Sequence, residues 1–183
     1  MDFLKSLITM LPKYIISFEI INGEFILYIL PQYLTQVVLF LKSYTNAQYH
    51  LLIDITAIDC PSHLKRFQVI YQLLSLQTNS RIRLKIEIEL NESVPSITSI
   101  FPNANWLERE TWDMFGIPFK NHPDLRRLLT DYGFSGFPLR KDFPLTGYTE
   151  LRYDDEEKRI ISESIKLNQE FRFFNLTNSW KQI

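Results

Sequence analysis

The sequence predicts an α+β fold: a mixed or antiparallel sheet with flanking helices, then two short helices and an extended irregular C-terminal arm. Three observations predict it. Apolar residues alternate with polar ones in several short runs before residue 102, as half-buried strands require. Apolar residues at helical spacing flank those runs. From about residue 102 the chain changes character. Four of the five glycines (Gly116, Gly133, Gly136, Gly147) and five of the nine prolines (Pro102, Pro118, Pro123, Pro138, Pro144) crowd into 102–147. The expected organisation is a compact domain over 1–101, a helical connector over 102–132 and a docking arm over 133–183.

The elements follow in order. Leu4, Leu7, Ile8 and Leu11 repeat at helical spacing, and Pro12 ends the run. Tyr14–Ile21 and Glu24–Leu30 are β-rich runs joined by Asn22-Gly23, a strong hairpin signal. Tyr33, Leu34, Val37, Val38 and Leu41 mark an amphipathic helix. Leu51, Ile53, Ile55 and Ala57 alternate through a strand, as do Phe67, Val69, Tyr71 and Leu73. The clearest strand is Arg81–Leu90, with Ile82, Leu84, Ile86, Ile88 and Leu90 facing inward and Arg81, Arg83, Lys85, Glu87 and Glu89 facing out.

Beyond the sheet, a helix is expected over Trp106–Phe115, with Arg109 and Asp113 paired at i,i+4, Gly116 just past its end and Pro118 after it. A second is expected from Pro123 to before Gly133, with Asp124 in its first turn. After Gly133 no period is sustained, yet aromatics remain dense: Phe134, Phe137, Phe143, Tyr148, Tyr153, Phe171, Phe173, Phe174 and Trp180. Disordered tails are poor in aromatics, because such side chains drive burial. A long irregular stretch rich in them gains order by lying against another protein.

Composition narrows the functional classes. The 183 residues are 45% hydrophobic and 22% charged, with formal net charge -1, so no positive surplus suits the chain to nucleic acid or anionic membrane. The one cysteine, Cys60, cannot close an internal disulfide or supply the four ligands of an iron–sulfur cluster. No apolar run approaches the ~20 residues of a membrane span. The N-terminal stretch fits neither a secretory signal nor an Arg-rich transit peptide. The protein is therefore expected to be peripheral or soluble, and made where it works or already processed.

Each candidate for chemistry has a simpler reading. Glu108 and Glu110 are candidates for an acid–base pair, but two positions apart on a helix they face different ways. Charge complementarity with the helix N-terminus is expected instead. His122, among Asn121, Pro123 and Asp124, is a candidate metal ligand or proton carrier. A metal site needs three or four converging ligands, and His50 and His63 lie in unrelated contexts, so a turn side chain bonding local backbone is expected. Arg126-Arg127 and Arg140-Lys141 are candidates for phosphate binding. Asp124, Asp131 and Asp142 interleave them and quench the field that binding needs, which favours ion pairs with other proteins. Asp154–Glu157, followed by Lys158-Arg159, is either a solvated face or a charged partner contact. Dinucleotide, P-loop, nucleophile-elbow and zincin motifs are absent.

The stretch Glu108–Leu129, ERETWDMFGIPFKNHPDLRRLL, resembles the signature of the 30-kDa subunit family of respiratory complex I, also called subunit 9. Glu108, Arg109, Glu110, Asp113, Met114-Phe115-Gly116, His122-Pro123 and Arg126-Arg127 all match that pattern. DYGFSGFPLRKDFPLTGY (Asp131–Tyr148) continues the likeness. ELRYDDEEKRI and QEFRFFNLTNSW are similar to the tails of mitochondrial members. The likeness runs from Leu51 onward. One departure is Phe137, where many relatives carry His.

The resemblance implies a non-catalytic core subunit in the hydrophilic arm of NADH:ubiquinone oxidoreductase, near its membrane end. It implies no cofactor on this chain, with FMN and iron–sulfur clusters on other subunits. Implied partners are hydrophilic-arm subunits, chiefly the quinone-site subunit and neighbouring iron–sulfur subunits. The implied location is the matrix side of the mitochondrial inner membrane, with the cytoplasmic side of a bacterial plasma membrane as the alternative. Glu108, Glu110, Asp113, Gly116, His122 and Pro123 are expected to hold the turn between domain and arm. Arg109, Arg126, Arg127, Arg140, Lys141, Asp142 and Arg152 are expected in interface ion pairs, and Phe134, Pro138, Phe143, Tyr148, Tyr153 and Trp180 as interface anchors. The other readings are the equivalent subunit of a ferredoxin-dependent quinone reductase or membrane-bound hydrogenase, and a hydrolase built on Glu108 and His122.

Overall fold

The computed structural model describes residues 2–174. The chain divides into two compact units, Met1–Phe143 and Pro144–Ile183. The first is built on a five-stranded sheet with helices on one face, the α+β class expected.

Helix α1 spans Asp2–Met10, and strands β1 (Ile15–Ile21) and β2 (Glu24–Ile29) form the hairpin. Asn22 and Gly23 both take positive φ, 51° and 81°, which matches the turn to the right-handed twist of the strands. Helix α2 (Leu34–Ser43) follows a 3-10 turn and buries Leu34, Val37, Val38 and Leu41. Strands β3 (Leu51–Asp59), β4 (Phe67–Ser75) and β5 (Ser80–Ile88) complete the sheet in the order β1-β2-β5-β4-β3. Within this sheet the β2–β5 pairing alone is parallel, because α2, β3 and β4 form the crossover between those strands. The inward residues of β4 and β5 are those the alternation predicted: Phe67, Val69, Tyr71, Leu73, Ile82, Leu84, Ile86 and Ile88. On the opposite face Gln68 donates to Glu87 at 3.1 Å, and Arg83 pairs with Glu24 at 2.7 Å.

Three elements differ from expectation. In β3 the register shifts between Leu52 and Asp54, a β-bulge that leaves Ile53 and Leu51 exposed. Leu52, Ile55, Ala57 and Asp59 face inward instead, so simple alternation from Leu51 assigns the first half of the strand to the wrong side. Leu90 lies past the end of β5 and is exposed. No helix follows Pro123: residues 123–132 are an irregular loop, in which the amide hydrogens of 128–130 are taken by a distant carboxylate rather than by carbonyls one turn back.

A short parallel pair, β6 (Val94–Pro95) and β7 (Phe119–Lys120), brackets helix α3 (Ala104–Phe115). The second unit is not irregular throughout. Strands β8 (Thr149–Asp154) and β9 (Arg159–Ser164) form an antiparallel hairpin, turned through Lys158 at positive φ. Trp180 lies outside the described residues. Among the described residues no helix is long and apolar enough to cross a membrane.

Candidate functional site

Helix α3 carries most of the signature residues, and its buried side decides their roles. Ala104, Glu108, Thr111 and Phe115 lie on the face turned to the sheet, as i, i+4, i+7 and i+11 must. Gly116 then ends the helix in the left-handed conformation (φ 73°), its N–H donating to Trp112 O at 2.8 Å.

Glu108 is fully buried, so the expected complementarity with the helix N-terminus is not its role. Its Oε1 accepts the Ile97 amide at 2.8 Å and its Oε2 accepts the Ser96 hydroxyl at 2.7 Å. Burial pushes its pKa up to about 7, against the downward pull of those two donors. Glu110, two positions on, is exposed and does not meet it.

Asp113 is buried and gathers the loop that follows. Its Oδ2 accepts the amides of Leu128, Leu129 and Thr130 at 3.1, 2.7 and 2.9 Å. Its Oδ1 accepts the Thr130 hydroxyl at 2.7 Å and Arg127 Nη1 at 3.3 Å. Burial alone would raise this carboxyl, but the Thr130 and backbone donors outweigh it and hold the pKa below the ordinary value. The expected i,i+4 pair with Arg109 does not form. Arg109 turns away, and its Nε and Nη2 donate to the carbonyls of Arg126 and Arg127 at 3.1 and 3.3 Å. A guanidinium offers several donors in a fixed fork, and a loop rich in unpaired carbonyls competes well for them.

His122 bonds backbone on both sides, locally at Asp124 and, against expectation, at Asn105 seventeen residues back. Its Nδ1 accepts the Asp124 amide at 3.1 Å, which places the proton on Nε2, and Nε2 donates to Asn105 O at 3.2 Å. Nε2 lies 3.9 Å from Glu108 Oε2, too far for a hydrogen bond. Both ring nitrogens of His122 are thus committed to backbone, and no hydrogen bond joins it to Glu108. Pro123, next in the chain, is exposed.

The second half of the signature forms a clasp within the chain. Arg140 Nε donates to Phe115 O at 2.6 Å, satisfying a carbonyl that α3 leaves unpaired at its C-terminus. Its guanidinium lies 4.3 Å from the Phe137 ring centre and 5.2 Å from that of Phe67. The Lys141 amide donates to Asp59 Oδ2 at 2.7 Å. Arg66 forks onto Asp59 at 2.7 and 2.8 Å and reaches Asp142 at 3.0 Å. The Arg66 hydrogen bonds hold the Asp59 carboxyl below its ordinary pKa. The Phe143 and Phe134 rings meet at a 44° tilt with centres 5.9 Å apart, and Pro138 is half-buried. The Arg140 guanidinium, the Asp142 carboxylate and the Phe134 and Phe143 rings, all expected on partners, thus have contacts inside the first unit. The reason is local: α3 ends in carbonyls and Asp59 is a buried charge, so the nearest donors are drawn in.

What remains outward differs from the expected set. Arg126 is exposed and, among the described residues, pairs with Asp124. Tyr148, Tyr153, Leu151 and Ile160 of the second unit are exposed, and Arg152 pairs with Glu163 across the hairpin at 2.8 Å. Asp59, Arg66 and Ser96 were not singled out from the sequence. Asp59 had a signal: it sits in the inward register of β3 after Ile55 and Ala57, and a charge there needs a buried partner. Ser96 had none.

The profile of the family described as respiratory-chain NADH dehydrogenase, 30 kDa subunit, matches residues 27–149. The chain belongs to that family. NADH-ubiquinone oxidoreductase subunit 9 of Reclinomonas americana is 52% identical over 182 residues, all of this chain and 89% of that one. NADH dehydrogenase [ubiquinone] iron-sulfur protein 3 of Marchantia polymorpha is 54% identical over 181 residues, 99% and 93% of the two chains. An NADH-quinone oxidoreductase subunit of Ruegeria pomeroyi is 52% identical over 167 residues, 91% and 84%. A chain in the structure of the membrane-bound sulfane sulfur reductase, an archaeal respiratory membrane complex, shares the fold. Its TM-score is 0.67 at 20% identity, covering 79% of this chain and 85% of that one. One relative's name speaks of iron and sulfur. This family member has a single cysteine, which does not fit a cluster held by four thiolates.

Proposed function

We propose that this chain is a scaffolding core subunit of the hydrophilic arm of NADH:ubiquinone oxidoreductase, performing no redox step itself. The observation that carries the reading is the second unit. A lone two-stranded hairpin is marginal in water, and this one exposes Leu151, Tyr153 and Ile160 at 63%, 55% and 68%. Apolar side chains on a hairpin with no core of its own are what a docking element presents before assembly. FMN and iron–sulfur clusters belong to other subunits of the assembly in this reading. The quinone-site subunit and neighbouring iron–sulfur subunits are the partners, and the matrix face of the mitochondrial inner membrane is the location.

The test uses two variants in the intact assembly. Leu151→Ala/Tyr153→Ala removes apolar surface from the hairpin, and Arg140→Ala removes the clasp at the end of α3. Both are expected to lower the amount of assembled complex while leaving the iron–sulfur signal per assembled complex unchanged. Normal assembly with slowed electron transfer from either variant contradicts scaffolding. Copurification with an NADH-oxidising flavoprotein separates the respiratory assembly from a ferredoxin-dependent one.

A further inference from the structure

Beside the loop gathered by Asp113 opens a groove of about 540 Å³, lined by Arg109, Arg126, Arg127, Thr130, Asp131 and Tyr132 among others. Three arginines meet there beside Asp113, Asp124 and Asp131, and they are unequally paired. Arg109 is 9% exposed, and among the described residues no carboxylate pairs with it; two of its donors rest on backbone carbonyls and its guanidinium lies 5.4 Å from the Trp106 ring centre. A desolvated guanidinium without an anion is costly to keep. Arg127 donates to Gly136 O at 2.9 Å, and it shares Asp113 with four closer donors, at a long 3.3 Å. The Arg126 side chain is 72% exposed and its partner among the described residues is an exposed aspartate, a weak pairing. The acid in the lining, Asp131, accepts the Tyr132 amide at 2.8 Å. Tyr132 itself is fully exposed, an aromatic ring with no apolar surface to cover.

From these observations we infer that the groove receives an acidic segment of a neighbouring subunit, one carboxylate seated among Arg109, Arg126 and Arg127 and the adjoining chain packed on Tyr132. The inference rests on the scaffolding reading and names the chemistry of one partner surface. Guanidinium forks match a carboxylate in two hydrogen bonds. The exposed ring favours a peptide over a free anion or lipid headgroup, since a tyrosine at an interface contributes by burying its face. The groove thereby supplies register: Asp113 fixes the loop, and the arginines read a charge at one position.

The test is made in the assembled complex purified from membranes. Benzoylphenylalanine in place of Tyr132 is expected to crosslink to a peptide of another subunit that carries an aspartate or glutamate beside the attachment point. Arg126→Glu is expected to lower assembled complex about tenfold without moving the melting temperature of the isolated chain. Replacing the identified acid by lysine in the partner is expected to restore assembly with Arg126→Glu. A crosslink to lipid or to an acid-free peptide overturns the inference, as does unchanged assembly with Arg126→Glu or failure of the charge swap. In each of those cases the chain is still recovered in the complex and scaffolding stands. Absence of the wild-type chain from the complex overturns both.

Discussion

Glu108 and Asp113 are both buried carboxyls on one helix, five positions apart, yet their environments push them in opposite directions. Glu108 has two hydrogen-bond donors, and burial wins, raising its pKa to about 7. Asp113 has five donors, and the donors win. The signs of their contributions to stability follow. A carboxyl whose pKa is raised on folding stabilises the fold below its unfolded value, and that stability is lost as pH rises through 7. Glu108 therefore makes the first unit roughly 3 kcal/mol less stable above pH 7 than below pH 4.5, because each tenfold change in proton affinity is worth about 1.4 kcal/mol. Glu108→Gln keeps an acceptor for the Ile97 amide and a donor for Ser96 Oγ. It is expected to flatten the fall in stability between about pH 5 and pH 7.5, measured by urea unfolding at several pH values, even with His122 and Tyr71 nearby unchanged. Retention of the wild-type slope in that variant would refute the assignment. Asp113 behaves oppositely: its stabilisation is present above the unfolded value and is lost as pH falls through the lowered one. Asp113→Asn places an amide among donors and is expected to destabilise by about 2–4 kcal/mol, with new protease cleavage between 124 and 137.

Among the elements, glycine separates a conformational requirement from a packing one. Gly23 (φ 81°) has open space where a Cβ would project, whereas a Cβ on Gly116 (φ 73°) would come within 2.5 Å of Arg140 Nη2 and 2.6 Å of the Phe137 ring. Gly23→Ala is expected to cost about 1 kcal/mol, the strain of a left-handed residue alone. Gly116→Ala carries the same strain and also expels the Arg140 clasp, so it is expected to cost at least about 3 kcal/mol; equal losses in chemical denaturation would remove the clasp from the account. This contrast also marks what the sequence could reveal. The β1–β2 turn, the end of α3 and the inward faces of β4 and β5 depend on local chemistry and period, and all were legible. The bulge at Ile53 depends on pairing with β4, and no run of apolar residues announces it. The loop after Pro123 has helix-start residues, but Asp113 offers its amides a better acceptor from fifteen to seventeen residues away. The β8–β9 hairpin was missed because its flanking residues lack a core to alternate against: both faces of Thr149–Asp154 are largely exposed. At the candidate site, the positions of the charges were legible and their partners were not, since Arg140, Arg109 and Asp142 found acceptors and donors that only the fold brings near.

For the whole molecule, the decisive matter is where folding ends and assembly begins. The core runs continuously from Leu7 through the sheet to Phe115, Ile117 and Phe119, and the clasp from Leu139 to Asp142 closes on it through Met114, Phe115, Asp59 and Arg66. Among the described residues, none after Phe119 is a buried hydrophobic one. A chain ending at Phe143 therefore retains every buried apolar side chain described and is expected to unfold cooperatively, with a melting temperature within about 3 °C of the full chain, because hydrophobic burial dominates stability. The same truncation removes the hairpin that exposes Leu151, Tyr153 and Ile160, and is expected to abolish stable incorporation into the membrane complex. In the isolated full chain, limited proteolysis is expected to cut after residue 144 first and leave a fragment near 1–143. A fragment that is unfolded, or that assembles as well as the full chain, would show that the second unit serves the fold of this subunit rather than its docking.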